Sequence, residues 1–281
     1  MPDGDQSVKR RQLGPRPQRL PWTERFASFC FRAPLFFACT ALFGSLSLIA
    51  SLWDKSGKAQ HAIARCWGRV VVRISGARLS KLDIHHLDGR VAVYAANHLS
   101  YMDTPVVFAS LPFQFRIVAR HDLFKLPFIG WHLRRSGQVP VNVTNPRASI
   151  SSLGGAVKTL RAGMPLFIFP EGGRSATGHL ANFMNGPAFM AIRTGLPIIP
   201  MALIGTYELL PMHSMEFHPV PVTLAVGEPI ETTEYTMKQI DELTAKISRE
   251  ICRLYYRYSY LAQPAQLELE AITVTAEEGQ D

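Results

Sequence analysis

The sequence has few cysteines, and none of them are paired by spacing. Its 281 residues include four cysteines, Cys30, Cys39, Cys66 and Cys252, with no Cys-x-x-Cys pair. This argues against a disulfide framework or a cysteine-bound metal cluster and indicates a reducing compartment. The sequence also lacks zinc-finger spacing and an arginine-rich block, so its formal net charge of +8 does not indicate nucleic-acid binding. An anionic membrane surface or a phosphorylated substrate fits the basic balance better.

Charge is also missing from one long stretch near the N-terminus. No charged residue occurs from Leu35 to Trp53, a run long enough to cross a bilayer core as a helix. Three interpretations stay open for it: a spanning helix with a cytoplasmic N-terminus, an in-plane or hairpin helix in one leaflet, and a buried core helix. The next segment, 61–74, has an amphipathic helical pattern with basic residues on one face. That pattern fits a headgroup surface, and packing on the main domain is the alternative.

The rest of the chain alternates between short apolar runs and helical patterns. The apolar runs predict strands at 91–95, 115–119, 138–143, 165–169, 198–204 and 221–226. Helices are predicted at 123–135, 147–161, 182–194 and 236–260. Such alternation predicts an α/β fold with a mostly parallel central sheet flanked by helices.

This organisation divides the chain into four regions. Residues 1–20 are polar and basic and are predicted to be disordered, and 21–76 are predicted to form a membrane-associated helical hairpin. The α/β domain is predicted at 77–262, followed by a disordered acidic tail at 263–281.

The first segment with chemical potential is Asn97-His98-Leu99-Ser100-Tyr101-Met102-Asp103, directly after a predicted strand. Ligands of parallel sheets gather beyond the carboxyl ends of strands, so His98 is a candidate general base and Asp103 its carboxylate partner. The alternative is a helix capping box with Ser100 at the N-cap and Asp103 three residues on. The chain has no Gly-x-Ser-x-Gly elbow, so the nucleophile is expected to be a substrate hydroxyl.

The second segment, Phe169-Pro170-Glu171-Gly172-Gly173-Arg174-Ser175, follows another predicted strand. Gly172 and Gly173 allow a ligand to approach the backbone closely, and the Arg174 guanidinium suits a phosphate. Ser175 can add a hydroxyl donor, while Glu171 can hold the loop or bind a hydroxyl. A strand-to-helix turn closed by a surface salt bridge is the alternative.

Together the two segments resemble the NHxSxxD and FPEGxRS motifs of the glycerolipid acyltransferases, and residues 196–202 resemble the later apolar motif of that family. The chain is thus similar to the 1-acylglycerol-3-phosphate acyltransferases over about residues 90–230. The resemblance implies acyl transfer from acyl-CoA or acyl-carrier protein to the free hydroxyl of a lysophospholipid, which forms phosphatidic acid in phospholipid biosynthesis.

The resemblance also implies a role for each matching residue. His98 and Asp103 match the catalytic pair, and Glu171, Gly172, Gly173, Arg174 and Ser175 match the substrate-binding loop. It implies no cofactor and no metal. The implied location is the cytoplasmic face of the inner or plasma membrane, with a monotopic or single-span anchor.

The sequence departs from the family pattern at one position. Val143 stands where the family often has an arginine at the end of a strand. Arg147 is a candidate to replace it in phosphate binding, and Arg134 and Arg135 are others. The departure keeps other acceptors open: a lyso-ornithine lipid, glycerol 3-phosphate or another lysophospholipid. A non-catalytic lipid-binding protein of the same fold is a further alternative.

Overall fold

The computed structural model of the protein describes residues 20–142, 146–259 and 261, and for 146–151 the backbone alone. The region predicted as a disordered N-terminus, except for Leu20, and the acidic tail predicted at 263–281 both lie outside these ranges. The helices are α1 (Trp22–Ala27), α2 (Ala33–Ala50), α3 (Lys58–Ile74), α4 (Asp103–Ser110), α5 (Ile129–Arg135), α6 (Pro146–Arg161), α7 (Gly186–Thr194), α8 (Thr206–Leu209) and α9 (Ile240–Tyr258).

Seven strands in the described part of the chain form one sheet. They are β1 (Arg78–Leu82), β2 (Val93–Ala96), β3 (Arg116–Arg120), β4 (Val139–Val141), β5 (Leu166–Ile168), β6 (Ile198–Ile204) and β7 (Pro221–Val226). Their order is β1-β7-β6-β2-β5-β3-β4, and each neighbouring pair is parallel except β6 and β7. The predicted mostly parallel α/β sheet is therefore confirmed.

The sheet buries an apolar layer on each face. Along β2 the side chain of Tyr94 belongs to one core cluster and those of Val93 and Ala95 to the other, because successive residues of a strand point to opposite faces. The first layer is covered by α3 and α4, and the second by α6, α7 and α9. A Cβ atom at Gly68 of α3 would lie 2.5 Å from the carbonyl oxygen of Pro105 in α4. Only glycine permits this close packing, so α3 is fixed on the α/β domain.

The structure differs from the sequence predictions at several elements: α4, α8 and β1 were not predicted, and one predicted helix is divided. The helix predicted at 123–135 is split into a 3-10 turn at His121–Lys125 and α5, and Leu126 between them is extended. Pro127 explains the break, because it lacks an N–H and disfavours helical backbone at the residue before it. Strand β1 was not predicted: its sequence, Arg-Leu-Ser-Lys-Leu, is polar, and it lies at the edge of the sheet with partly exposed side chains.

The N-terminal helices α1 and α2 continue into one another through a π-helical turn at Ser28–Arg32. In the described part of the chain, Trp22–Ala50 is the one helix that is long and apolar enough to cross a membrane. Only 11% of its most apolar 18-residue stretch is buried. Its exposed large side chains include Trp22, Phe26, Phe29, Phe31, Leu35, Phe37, Leu42, Leu46 and Ile49. This exposure contradicts the interpretation of the run as a buried core helix.

Candidate active site

The catalytic pair predicted from sequence comes together at the carboxyl end of β2. His98 Nδ1 lies 2.8 Å from Asp103 Oδ2, and the Asp103 side chain is fully buried. The same oxygen also accepts the backbone N–H groups of Leu99 at 2.7 Å and Ser100 at 2.8 Å. Because an ionised carboxylate only accepts hydrogen bonds, Nδ1 carries the proton and Nε2 keeps its lone pair. The geometry is that of a general base held in one tautomer.

The capping-box alternative is not what the structure has. Helix α4 begins at Asp103 itself, and the Asp103 carboxylate turns back to the three preceding N–H donors. The Ser100 hydroxyl donates to the carbonyl of Leu210 at 2.8 Å and accepts the N–H of Met102 at 3.1 Å. Ser100 thus ties the turn to the chain that follows α8.

Asn97 fixes the other end of this turn. Its amide donates to the carbonyl oxygen of Leu203 at 2.9 Å and accepts the N–H of Leu203 at 2.7 Å. The Asn97 side chain thus bonds both backbone groups of Leu203. These two hydrogen bonds take the place of the backbone hydrogen bonds that would pair a longer β2 with β6. The backbone can therefore leave the sheet immediately before His98 without stranding a buried polar group.

Phe169 is a contact of His98 that the sequence did not predict. The two rings stack with centroids 3.9 Å apart and an interplanar angle of 10°. The stacking covers one face of the imidazole, and His98 also lines a cavity. With Nδ1 engaged by Asp103, the nitrogen available to a substrate in that cavity is Nε2.

Glu171 holds two backbone segments together. Its Oε1 accepts the N–H of His98 at 2.6 Å and its Oε2 accepts the N–H of Ala181 at 2.8 Å. Burial raises the pKa of this carboxyl group to about 8, against the lowering effect of the two N–H donors and with a smaller raising effect of Asp103. Glu171 was predicted to bind substrate or to hold the loop, and these contacts support the second role.

We expect Glu171→Gln to change how stability depends on pH. The pKa of Glu171 in the folded protein is above its ordinary value of 4.5, so between about pH 4.5 and 8 the unfolded chain releases this proton and the folded chain keeps it. The contribution of Glu171 to the free energy of unfolding should therefore fall as the pH rises through that window. Urea unfolding at several pH values should show a smaller fall in Glu171→Gln.

The glutamine also places an amide NH₂ opposite one backbone N–H, so the variant should be less stable overall. The exposed Glu234→Gln is the matched control, and its pH dependence should follow the wild type. An unchanged fall in Glu171→Gln would contradict a raised pKa at this position.

A cavity of about 980 Å³ opens beside His98. One part of its wall is apolar and is formed by β3, β4, β5 and the helices over them, with the residues Ile117, Val118, Val141, Leu153, Ile168, Phe189 and Ile240. Gly172, Gly173 and Arg174 of the predicted loop form another part. Gly172 has a φ of 67°, a left-handed conformation that favours glycine and lets the chain turn at the cavity wall.

Among the described residues, two arginines line this cavity. The Arg174 guanidinium carbon lies 4.3 Å from the centre of the Tyr101 ring, a cation–π contact that holds it beside the catalytic turn. Arg120, at the end of β3, forms a two-point ion pair with Asp122, with N–O distances of 3.2 and 2.7 Å. Sequence reasoning missed Arg120, although its position at the carboxyl end of a predicted strand was a usable signal.

Some of the other predicted binding residues are not among those lining the cavity, although the N–H of Ser175 donates to the carbonyl of His98 at 3.1 Å. The Ser175 hydroxyl contacts that of Thr177 at 3.2 Å, and Ser175 is not among the residues lining the cavity. Arg134 donates to the carbonyl of Phe124, and Arg135 contacts the Ser51 hydroxyl at 3.4 Å; neither residue is among those lining the cavity. Val143 and the side chain of Arg147 lie outside the described residues.

Known proteins show the same combination of sequence and fold. Residues 74–204 match the family model described as acyltransferase, a span that contains both motifs. The chain is 32% identical over 162 residues to a chloroplastic 1-acyl-sn-glycerol-3-phosphate acyltransferase of Arabidopsis thaliana, covering 56% of this chain and 44% of the relative. It is 31% identical over 181 residues to a 1-acyl-sn-glycerol-3-phosphate acyltransferase of Limnanthes douglasii, covering 64% of each. The chain thus spans less than two thirds of the length of these relatives.

The fold also matches a solved structure, the 1-acyl-sn-glycerophosphate acyltransferase PlsC from Thermotoga maritima. The TM-score is 0.65 at 23% identity, covering 80% of this chain and 93% of that chain. This likeness concerns the fold. A His–Asp pair at a strand end, beside a cavity with apolar and cationic walls, suits a general base that acts on a hydroxyl. The segments that resemble the NHxSxxD and FPEGxRS motifs both lie within residues 74–204, the part of the chain that matches the acyltransferase family model.

Proposed function

We propose that the protein transfers an acyl chain from a thioester donor to the free hydroxyl of 1-acyl-glycerol-3-phosphate and so forms phosphatidic acid. The observation that carries this proposal is the His98–Asp103 pair, with Nδ1 to Oδ2 at 2.8 Å, facing a cavity with two arginines and an apolar wall. The base suits hydroxyl activation, the arginines suit a phosphate and the apolar wall suits an acyl chain. The relatives named for this reaction support the same assignment.

The reaction proceeds without an acyl-enzyme intermediate. His98 Nε2 takes the proton of the acceptor hydroxyl while that oxygen attacks the carbonyl carbon of the thioester. Asp103 stabilises the imidazolium that forms. The tetrahedral intermediate collapses, the carbon–sulfur bond breaks, and the imidazolium returns the proton to the departing sulfur. The donor is acyl-CoA or acyl-carrier protein, and the chemistry requires no cofactor.

Arg120 is the described residue best placed to take the role of the arginine missing at Val143. It ends β3 directly beside Val141 of β4, and it lines the cavity with Arg174. A phosphate between the two guanidinium groups would compete with Asp122 for Arg120. The acceptor hydroxyl would then be presented to His98.

We infer that the N-terminal helices lie in the plane of the membrane. Several polar contacts tie them to the rest of the protein, among them Arg25 to Glu216 at 3.0 Å, Ser28 to Met215 at 3.2 Å, Thr40 to Trp67 at 3.1 Å and Ser47 to His132 at 3.0 Å. From Arg25 to Ser47 a helix rises roughly 33 Å at 1.5 Å per residue, so the contacts run along the whole helix. A spanning helix would lose most of them.

The segment around α5 adds to this apolar surface. Phe128, Ile129 and Trp131 are exposed and stand next to α2, which α5 contacts. These residues and Leu126 are not among the residues lining the cavity. Their exposure supports a bilayer surface as the partner of this face, and the net charge of +8 fits an anionic one. The cytoplasmic side is part of the proposal.

The function is tested by identifying the product. Vesicles or detergent containing lysophosphatidic acid should yield phosphatidic acid by mass spectrometry with acyl-CoA, acyl-carrier protein or both. Glycerol 3-phosphate, a lyso-ornithine lipid and other lysophospholipids form the comparison panel, and preference for one of them would replace the proposed acceptor.

The variant Arg174→Ala should raise the acceptor KM by about 10- to 100-fold, the value of a lost charge-assisted hydrogen bond. A rise confined to the donor KM would assign Arg174 to the donor phosphates, and the exposed Arg193→Ala is the control.

A further inference from the structure

We propose that His85, His86 and Glu228 form a binding site for a divalent transition-metal ion of the zinc type. One ligand atom from each side chain lies within 4.8 Å of the other two. Two imidazoles and one carboxylate are a known zinc ligand set, with water in the fourth position. The expectation that no metal takes part in acyl transfer is unaffected, because this site is distant from His98.

The sheet brings the three residues together. Strands β1 and β7 pair in parallel, with Leu82 beside Ala225. The segments that follow the two strands therefore leave the sheet at the same end. The left-handed backbone of Asp83, with φ 53°, leads from β1 into the 3-10 turn Ile84–His86. Glu228 follows β7, the strand paired with β1. The register of these two strands therefore places Glu228 beside the histidines.

The segment carrying Glu228 is itself anchored. The N–H of Ile230 donates to the carbonyl of Ile198 at 2.8 Å, and the N–H of Ile198 donates back at 2.9 Å. The N–H of Gly227 donates to the carbonyl of Pro200 at 2.8 Å. Hydrogen bonds on both sides of Glu228 therefore hold its backbone in position, and the carboxylate needs only side-chain rotation to adjust.

The contact between His86 and Glu228 is close, but it is not a satisfied hydrogen bond. His86 Nε2 lies 3.0 Å from Glu228 Oε2, yet this buried nitrogen has no hydrogen-bond partner in the described chain. The His85 and His86 rings are adjacent, with centroids 3.9 Å apart. A nitrogen kept from water without a hydrogen bond is costly, and a metal bond to that lone pair would remove the cost.

The dimensions suit zinc. Zn–N and Zn–O bonds of about 2.0–2.2 Å place two ligand atoms of a tetrahedral site roughly 3.4 Å apart. The pair His86–Glu228 is already near that separation, and the largest separation in the cluster must shorten by only about 1.4 Å. His85 and Glu228 are exposed and free to rotate by this amount, while the more buried His86 is the fixed ligand.

The site and His98 lie at opposite ends of the strands of the sheet. Because β7 runs antiparallel to β6, Val226 at the end of β7 pairs with Met201, and the chain beyond it runs towards the start of β6. His98 instead follows the carboxyl end of β2, which is parallel to β6. A metal here would fasten the edge strand β1 to the chain after β7, so it should act on stability and leave acyl transfer unchanged.

The test uses the full chain, first stripped with chelator and then titrated with Zn²⁺ alone by calorimetry. We expect one bound ion per chain and a rise in Tm, because an ion that binds only the folded state stabilises it. Titration with Co²⁺ should produce the visible absorption of a tetrahedral site. His86→Ala and Glu228→Gln should each weaken Zn²⁺ binding by at least about tenfold, and the tetrahedral cobalt spectrum should be lost.

Two matched controls are available: Glu231→Gln, an exposed carboxylate three residues beyond Glu228, and His213→Asn, an exposed histidine outside the cluster whose positive φ asparagine tolerates. Both should bind Zn²⁺ like the wild type. If His86→Ala fails to fold, the exposed Glu228→Gln decides the question alone. Equal binding by wild type and Glu228→Gln, or no binding by the wild type, would overturn the proposal.

Discussion

Replacing His98 with alanine should lower kcat for acyl transfer by about 10²- to 10⁴-fold, the contribution of a positioned general base. The variant removes the nitrogen that takes the acceptor proton, and water in a cavity of this kind is a weaker and less ordered base. The fold should be kept, because His98 is partly exposed and the frame around it is held by Asn97, Ser100 and Asp103. Steady-state rates with lysophosphatidic acid and an acyl thioester provide the measurement.

Folding and activity must be separated in that experiment. Unfolding midpoints of His98→Ala and wild type should agree closely, and the exposed His179→Ala should retain wild-type rates. A folded His98→Ala protein with undiminished kcat would remove the general-base role, and with it the proposed reaction.

Asp103→Asn should lower kcat by about 10²- to 10⁴-fold and leave the acceptor KM nearly unchanged. The asparagine oxygen can still accept the three N–H groups that Asp103 Oδ2 accepts, so the turn keeps its shape. The negative charge that stabilises the imidazolium is lost, and this charge matters only as the proton is transferred. A fall in kcat alone therefore separates an electrostatic role from a structural one.

The same substitution has a cost in stability. Asp103 Oδ1 is buried without a partner in the described chain, so the new amide NH₂ would be buried unpaired at a cost of about 1–3 kcal/mol. Thermal unfolding would report that loss independently of the rates. The control is Asp88→Asn, at an exposed carboxylate paired with Arg90, which should affect neither kcat nor KM. A large rise in acceptor KM in Asp103→Asn would instead indicate a distorted cavity.

Much of the fold could be predicted because local patterns agree with it. Strand β6 was predicted with its observed bounds, 198–204, since it is apolar at every position and buried throughout. Strand β1 could not be predicted, because an edge strand is half exposed and its polar sequence resembles a loop. Pro127 was a signal for the break in the helix predicted at 123–135, but the apolar periodicity on both sides of it suggested one continuous helix.

The sequence alone predicted which residues carry the chemistry. His98 and Asp103 are close in the chain, so one tight turn suffices to join them, and local sequence could predict it. Only the tertiary structure decided what surrounds them. Phe169 stacks on His98, Glu171 holds the backbone of His98, and Arg120 reaches the cavity, all from other strands. Such contacts depend on strand order and register, which side-chain periodicity along a single strand does not specify.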